Sequence, residues 1–467
     1  MLTRLLVPAG LALAVLLTAP VLPACAQGAP AQAYDVPVTY YTLPNGLKVV
    51  LSRDTTAPTV VVAVYYEIGF RVEPRDRTGF AHLFEHMMFQ GSANLGKMEF
   101  IRLVQRNGGV LNGSTRFDFT NYFEVLPAHK LETALWAEAD RMRGLDITQE
   151  NLANQQGVVM NEVKVNVLNQ PYGGFPWLDL PQYANTNWHN AHNFYGDLED
   201  LQAATLADVQ AFFKTYYTPA NAVLVVVGDF EESKAKAMIE KYFAGITGPK
   251  PAPLPDITEP KQVEQKRASR KDPLARKPAL GFAYHMPARN TPEYYAMGLI
   301  DQLLLQGEDS LLFQELVKRK AYTGSVDGGI NLLGNMFNYN GPMLWIGSLI
   351  HEPSNTTDEI LATMDATIAR LQDAPIDAAM LDRALVKLRS SLYNDLTQLN
   401  GFGSADMLAS FALFDDDPSR INSLEAEFRK VTPALIQKTA QQFLRPTNRT
   451  VLVIEPGQAG APDAPQE

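Results

Sequence analysis

The sequence predicts an α+β fold made of two homologous sheet-plus-helix domains, a duplicated unit. The main observation is an internal repeat that joins residues 205–229 (TLADVQAFFKTYYTPANAVLVVVGD) to residues 432–456 (TPALIQKTAQQFLRPTNRTVLVIEP). In both copies a helix-like segment leads through a Pro-x-Asn turn into an apolar run, Val223–Val227 or Thr450–Ile454. Such runs indicate strands that are buried in a sheet.

Two shorter matches upstream support the duplication. LVQRNGG, from Leu103, matches LVKRKAY, from Leu316, and HLFEHMMFQG, from His82, matches GLIDQLLLQG, from Gly298. All three pairs occur in the same order along the chain. Because each unit mixes strand and helix patterns, the predicted architecture is a sheet with helices packed on it, formed twice.

A segment rich in proline and charge separates the two copies. Residues 248–278 show neither a helical nor a strand period, which predicts an interdomain linker. The first domain is then expected at 35–247 and the second at 279–456. The tail 457–467 (GQAGAPDAPQE) is expected to be disordered.

Composition excludes several classes of protein. The chain has 467 residues, of which 46% are hydrophobic, as in a globular protein. Its net charge of −11 argues against nucleic acid as a partner. The first 26 residues combine the basic Arg4, an apolar stretch and a small-residue site at Ala24-Cys25-Ala26, which predicts a secretory signal peptide. We therefore expect an exported protein, periplasmic or associated with the cell envelope.

Cys25 is the only cysteine, so the chain forms no intramolecular disulfide. Leu22-Pro23-Ala24-Cys25 also resembles a bacterial lipobox, although proline is atypical there. A lipid anchor at Cys25 and a soluble mature protein are the two alternatives.

The segment FAHLFEHMMFQG contains the strongest chemical signal. His82 and His86 are spaced i, i+4, so on a helix their imidazoles lie on one face, and Glu85 borders it. Two such imidazoles can bind one Zn²⁺ and leave a position for water, whose proton a neighbouring carboxylate can accept. H-x-x-E-H is the inverted form of a metallopeptidase motif. The alternative is a half-buried helix that binds no metal.

A hydrolytic zinc site needs a third protein ligand. Glu162, on a helix-like segment, and Glu150 are the nearby carboxylates downstream. Spacing alone does not choose between them.

His82-Leu-Phe-Glu-His86, followed by MMFQGS and later by VVMNEVKVN with Glu162, resembles the pitrilysin/insulinase-type inverted zincins. The length is most similar to the branch that contains mitochondrial processing peptidase and its bacterial relatives. The resemblance covers about residues 40–455. It implies one Zn²⁺ per chain with His82, His86 and Glu162 as ligands, Glu85 as the base, and a metal-free second domain.

The resemblance also implies residues that contact the substrate. GGVLNGSTRFDFTNYFEV, from Gly108, resembles the segment in which the family has an exposed edge strand that pairs with peptide, and Asn112 matches the family's substrate-contacting asparagine. An ordinary hairpin is the alternative for this segment. Tyr322 stands where the family has a catalytic tyrosine, with a core tyrosine as the alternative. Two positions depart from the family pattern: Gln155 replaces a glutamate, and Val317 replaces an arginine.

These observations predict a zinc endopeptidase whose two domains form a clam-like chamber and which cleaves peptides or unfolded segments. A non-catalytic or partner-dependent peptide-binding subunit is the alternative, because the family arginine is missing. We expect no nucleic-acid partner, whereas a homodimer or heterodimer is compatible with the sequence.

Overall fold

The chain folds into two β-sheets, each flanked by helices, in a computed structural model that describes residues 35–250 and 253–457. The predicted signal peptide with Cys25, and the tail beyond Gly457, lie outside the described residues. Among the residues described, no helix combines the length and the apolar character that a membrane span requires.

Each half of the described chain contributes one sheet and most of the helices around it. The strands are β1 (Thr39–Thr42), β2 (Lys48–Arg53), β3 (Thr59–Tyr66), β4 (Val110–Thr115), β5 (Thr120–Pro127), β6 (Ala222–Gly228), β7 (Lys266–Asp272), β8 (Ala279–His285), β9 (Asp327–Ile330), β10 (Leu344–Ile350) and β11 (Arg449–Pro456).

The α-helices are α1 (Phe80–Met87), α2 (Glu99–Arg106), α3 (Leu131–Arg143), α4 (Gln149–Val163), α5 (Asp179–Ala184), α6 (Trp188–Ala191), α7 (Leu198–Ala203), α8 (Leu206–Tyr216), α9 (Glu232–Phe243), α10 (Pro292–Leu304), α11 (Thr357–Asp373), α12 (Ala378–Thr397), α13 (Phe402–Phe414), α14 (Leu424–Arg429) and α15 (Pro433–Phe443). Two wider π-helical segments, Lys164–Leu168 and Phe313–Arg319, follow α4 and α10 along the chain.

The two sheets repeat one topology, which confirms the predicted duplicated α+β fold. The first sheet has the order β1-β2-β6-β3-β5-β4 and the second has β7-β11-β8-β10-β9. In each sheet one parallel pair, β2 with β6 or β7 with β11, is followed by three antiparallel pairs. The second sheet therefore repeats the first without β1.

The 25-residue repeat has the same local hydrogen bonds in both copies. Thr205 and Thr432 are N-caps whose hydroxyls accept from the backbone N–H three residues later. Asn221 Nδ2 donates to Tyr216 O at 2.9 Å, and Asn448 Nδ2 donates to Phe443 O at 2.8 Å. The conserved spacing of Thr, Pro and Asn thus encodes the same helix start and the same turn into the following strand.

One expectation about the linker is wrong. Residues 266–272 (KRASRKD), inside the segment 248–278, form β7 at the edge of the second sheet. The strand was missed because it has almost no apolar residues. Edge strands can have charged side chains, which discourage pairing with other chains.

The halves are interlocked because each sends helices onto the other's sheet. Helix α13 packs on β6, β3 and β2 of the first sheet, and α5 packs on β11 and β8 of the second. One hydrophobic cluster consequently joins residues of both halves, including Val61 and Tyr65 with Phe282 and Leu408. A second cluster lies between the other face of the first sheet and the first half's own helices. The predicted clam-like chamber stays a prediction.

Candidate metal centre

Helix α1 has a fixed beginning, which positions its histidines. The buried Glu73 carboxylate accepts from the N–H groups of Gly79 at 2.9 Å and Ala81 at 2.7 Å. These contacts satisfy donors that have no partner within a helix's first turn. Gly79, with φ +81°, precedes the helix, and a Cβ there would lie 2.9 Å from Gly196 Cα. A side chain at this position would therefore displace the helix.

His82, His86 and Glu162 come together between α1 and α4. Their nitrogen and carboxylate oxygen atoms lie within 4.8 Å of one another. His82 Nε2 is 3.6 Å from Glu162 Oε1, and His86 Nε2 is 3.3 Å from Glu162 Oε2. Of the two carboxylates that spacing left open, Glu162 is therefore the one in the cluster, whereas Glu150 is exposed in the first turn of α4.

The cluster has the size that a zinc ion requires. Ligand atoms about 2.1 Å from a tetrahedral Zn²⁺ are about 3.4 Å apart. Both imidazole–carboxylate distances lie close to this value. Two imidazoles and one carboxylate are also the donor set of many hydrolytic zinc sites, so the residues fit the ion that the sequence predicts.

Burial and charge give His82 and Glu162 the protonation states of metal ligands, whereas His86 must lose a proton to bind an ion. Burial lowers the pKa of His82 to about 4, so this imidazole is neutral at pH 7, as a ligand must be. The hydrogen bond to His86 lowers the pKa of Glu162 to about 2 and keeps the carboxylate ionised. Burial opposes protonation of His86, but its bond to Glu162 and the charge of Glu85 outweigh burial and raise its pKa.

Glu85 is held beside the cluster without belonging to it. Thr115 Oγ1, at the end of the edge strand β4, donates to Glu85 Oε2 at 2.7 Å. Burial raises the pKa of Glu85, more than the bond from Thr115 lowers it. The side chain also contacts the strand closely, since a Cβ on Gly113 would lie 3.3 Å from Glu85 Cγ. The carboxylate is thus positioned by the strand at the sheet edge.

Asn112 lies on that strand, and its contact with substrate stays a prediction. Strand β4 is at the end of the first sheet, and β5 is its only partner among the strands that the structure describes. Asn112 is exposed, and its Oδ1 accepts from Gly113 N–H at 2.9 Å. The edge strand and its alternative, an ordinary hairpin, do not exclude each other. Strand β4 forms an antiparallel pair with β5 and also lies at the end of the sheet.

Tyr322 lies in the second half, after the π-helical segment Phe313–Arg319. It is half-buried and packs against the large hydrophobic cluster. Among the described residues, no hydrogen bond or ion pair joins Tyr322 to the histidine–glutamate cluster. Its catalytic role stays a prediction.

Gln155, one of the two departures from the family pattern, contacts the cluster. Its side chain helps to raise the pKa of His86, and its Nε2 donates to Asn154 Oδ1 at 2.8 Å. It is buried on α4, two turns before Glu162. A neutral amide therefore lies beside the candidate metal ligands, where the resemblance implies a carboxylate.

Two supporting residues escaped sequence reasoning. Tyr195 donates its hydroxyl to Glu162 Oε1 at 2.8 Å, and its ring stacks on His82 with centroids 5.1 Å apart. Thr115 supports Glu85. Neither residue has a spacing relation to the histidines, because both approach from segments distant in the chain. The only signal was the nearness of Tyr195 to the polar segment WHNAHNF.

Two family models match successive parts of the chain. Residues 48–173 match the family model described as insulinase (peptidase family M16), and residues 203–388 match the peptidase M16 inactive domain. The first match contains the cluster, and the second contains most of the second sheet.

Several relatives are named as peptidases. The chain is 27% identical over 440 residues to the zinc protease PqqE of Helicobacter pylori, covering 91% of this chain and 94% of that protein. It is 25% identical over 205 residues to the mitochondrial-processing peptidase subunit beta of Caenorhabditis elegans, covering 44% of each.

Solved structures share the fold. A protease from Helicobacter pylori aligns with a TM-score of 0.82 and 24% identity, covering 91% of this chain and 100% of that chain. The periplasmic protease PqqL from Escherichia coli aligns with a TM-score of 0.72 and 17% identity, covering 91% of this chain and 48% of that one. With two models of one family matching successive parts of the sequence, the chain belongs to the insulinase family of peptidases, peptidase family M16.

Proposed function

We propose that this protein is a zinc-dependent endopeptidase that cleaves peptides or unfolded segments. The observation that carries the proposal is the convergence of His82, His86 and Glu162 within 4.8 Å, with Glu85 beside them as a separate carboxylate. A purely structural zinc site needs no such base. The names of the zinc-protease relatives agree with this assignment.

Zinc, when bound by His82, His86 and Glu162, supplies a Lewis acid that polarises the scissile carbonyl and lowers the pKa of water. The chain's own residues then move the proton. Glu85 Oε2 is engaged by Thr115, so Oε1 is the oxygen free to accept the proton of the attacking water. The raised pKa of Glu85 suits this role, because the same carboxyl must later donate the proton to the leaving amine.

Strand β4 gives the proposed substrate class. Its outer edge is unpaired among the described strands, so an extended peptide can add to it through main-chain hydrogen bonds. Thr115 on the same strand holds Glu85, which places a peptide bound there close to the base. Only a segment without stable structure of its own can adopt the required extended conformation. This requirement favours unfolded polypeptide as substrate.

The test compares wild type with Glu85→Gln, which keeps the shape of the side chain and removes the base. We expect both proteins to bind one zinc ion per chain by elemental analysis. Cleavage of a set of unstructured peptides should fall by roughly 10²–10⁴-fold in the variant. Asp301→Asn, at the corresponding position of α10, is the matched control and should cleave normally. If both zinc-loaded proteins cleave no peptide, the endopeptidase assignment is wrong.

A partner-dependent subunit is the second candidate. It is favoured by Val317 at the arginine position and, among the contacts of the described residues, by the lack of a hydrogen bond from Tyr322 to the cluster. Some relatives are named as subunits, among them the mitochondrial-processing peptidase subunit beta. Tyr322→Phe tests whether this chain supplies the catalytic tyrosine itself. If the hydroxyl is catalytic, turnover should fall while the zinc content stays unchanged. If Tyr322 only packs in the core, neither quantity should change.

Export is proposed from the amino-terminal segment. Residues 1–26 have the pattern of a signal peptide, and the structurally similar PqqL is described as periplasmic. Mass analysis of the mature amino terminus separates the two alternatives. A chain that begins at lipidated Cys25 would be an anchored protein, and one that begins after Ala26 would be soluble.

A further inference from the structure

Tyr195 contacts two of the three proposed metal ligands. Its hydroxyl donates to Glu162 Oε1 at 2.8 Å, and its ring is stacked on the His82 imidazole at an interplanar angle of 30°. Asn166, in the π-helical turn after Glu162, donates to the same hydroxyl at 3.3 Å. Trp177 packs edge-on against the ring with centroids 5.8 Å apart. The tyrosine therefore has neighbours on both its polar and its apolar parts.

The loop that carries Tyr195 is fixed on both sides. Phe194 is buried and packs against Phe70 and Phe117. Gly196, with φ +92°, lies so close to Gly79 that a Cβ would approach Gly79 Cα to 2.6 Å. Because Gly79 precedes α1, the loop and the helix that carries His82 are held as one unit.

This rigidity matters because Glu162 is the least constrained ligand. Its side chain is 32% exposed, compared with 8% for His82. The carboxylate oxygens have different neighbours, with Oε1 next to His82 and Oε2 next to His86. A hydrogen bond to Oε1 fixes the rotation of the carboxylate, so Oε2 stays directed at His86. Groups that orient a metal ligand in this way commonly change metal affinity by about 10–100-fold.

We propose that Tyr195 is a positioning residue of the metal centre, which sets zinc affinity by fixing the Glu162 carboxylate and supporting the His82 ring. The proposal rests on the proposed function, in which these residues bind zinc. Tyr195 acts through the ligands, so its removal weakens binding of the ion without removing any group that takes part in proton transfer.

The test removes the hydroxyl by Tyr195→Phe and keeps the ring. Tyr242→Phe is a matched control, because the Tyr242 hydroxyl also donates to a carboxylate, Glu132 Oε1 at 2.7 Å, but on the surface between α9 and α3. Zinc dissociation constants are measured by competition with a chelator of known affinity. We expect about 10–100-fold weaker binding for Tyr195→Phe and no change for Tyr242→Phe. At saturating zinc, the kcat of Tyr195→Phe should return to the wild-type value.

A second variant checks that weaker zinc binding is not caused by misfolding of Tyr195→Phe. Asn166→Ala alters an exposed side chain, and it removes the other hydrogen-bond partner of the tyrosine hydroxyl. We expect weaker zinc binding there too, by a smaller factor. Thermal unfolding of the zinc-free proteins checks that all variants are folded.

Failure of the positioning role can be distinguished from failure of the proposed peptidase function. Wild-type zinc affinity in Tyr195→Phe, or an equal loss in Tyr242→Phe, overturns the positioning role while leaving the peptidase assignment intact. A kcat that stays low at saturating zinc also overturns it, because Tyr195 would then act in the reaction itself. A wild-type protein that binds zinc but cleaves nothing refutes the endopeptidase, and zinc affinity still decides the role of Tyr195.

Discussion

Helices α1 and α10 occupy equivalent places in the two halves, yet within the described part of the chain only α1 contributes to a group of candidate metal ligands. Each lies against the edge strand of its own sheet, β4 or β9, and each packs against a repeat helix, α8 or α15. In the matched segments Gly298, Asp301 and Gln302 stand in place of His82, Glu85 and His86. The fold therefore does not need the histidines, which supports their proposed role as metal ligands.

The carboxylates at the shared position show how the environments differ. Glu85 borders the cluster and is held by Thr115 on the edge strand. Asp301 is 7% exposed and accepts from Trp345 Nε1 at 2.7 Å, on the neighbouring strand β10. Burial raises the pKa of Asp301 to about 6. Glu85 is therefore positioned beside the proposed metal ligands, whereas Asp301 is buried and hydrogen-bonded within the second half.

The largest expected effect comes from changing Glu162, whose carboxylate lies beside both imidazoles of the first half. Glu162→Gln removes the third proposed ligand, so zinc affinity should fall by more than the roughly 100-fold that loss of a supporting group costs, and cleavage with it. Glu150→Gln, on an exposed turn of the same helix, is the control and should match wild type in both. Chelator competition and peptide cleavage measure the two effects. Unaltered zinc binding by Glu162→Gln would remove Glu162 from the ligand set.

The second prediction concerns Asp301 and the pH dependence of stability. Its folded pKa is raised from 3.8 to about 6, so the folded state binds the proton more tightly than the unfolded state. This group's contribution to the free energy of unfolding therefore decreases as the pH rises from about 4 to about 6, by about 3 kcal/mol. Asp301→Asn should lack this decrease, as urea unfolding at pH 4 and pH 7 would measure. Zinc affinity should stay unchanged, and parallel pH profiles for variant and wild type would contradict the account.

Thr115→Val tests whether the edge strand positions the base. A hydrogen bond to a charged group contributes about 1.5–3 kcal/mol, so its loss should lower kcat by roughly 10- to 150-fold. Zinc content should not change, because Thr115 does not contact the ligands. Thr115→Ser keeps the hydroxyl and should retain most of the activity. Equal kcat values for the valine and serine variants would show that the bond to Glu85 is not needed.

The smallest effect is expected at Asn112, on the exposed edge of β4. Asn112→Ala should raise the KM for peptides by about 2–10-fold through loss of one hydrogen bond, with kcat nearly unchanged. Asp327→Ala, on the edge strand β9 of the second half, is the corresponding control and should leave KM unaltered. A fall in kcat alone would place Asn112 in the reaction rather than in substrate binding.

The sequence predicted the parts of the fold that repeat. The Thr, Pro and Asn positions shared by residues 205–229 and 432–456 encode local caps and turns, and both copies form them. The strand β7 was missed because its charges hide the pattern that an apolar strand would show. The exchange of α5 and α13 between the halves could not be foreseen, since no local pattern specifies which sheet a helix covers.

At the candidate metal site, too, the sequence predicted some residues and only the tertiary structure identified others. Helical periodicity by itself places His82, Glu85 and His86 on neighbouring positions of α1, because residues four apart share a face. Choosing Glu162 over Glu150 required the resemblance to a family, and the structure places Glu162 beside both imidazoles. The positions of Thr115 beside Glu85 and of Tyr195 beside Glu162 were determined by the tertiary structure alone. A side chain that supports another from a distant segment is selected by three-dimensional proximity, which sequence spacing does not encode.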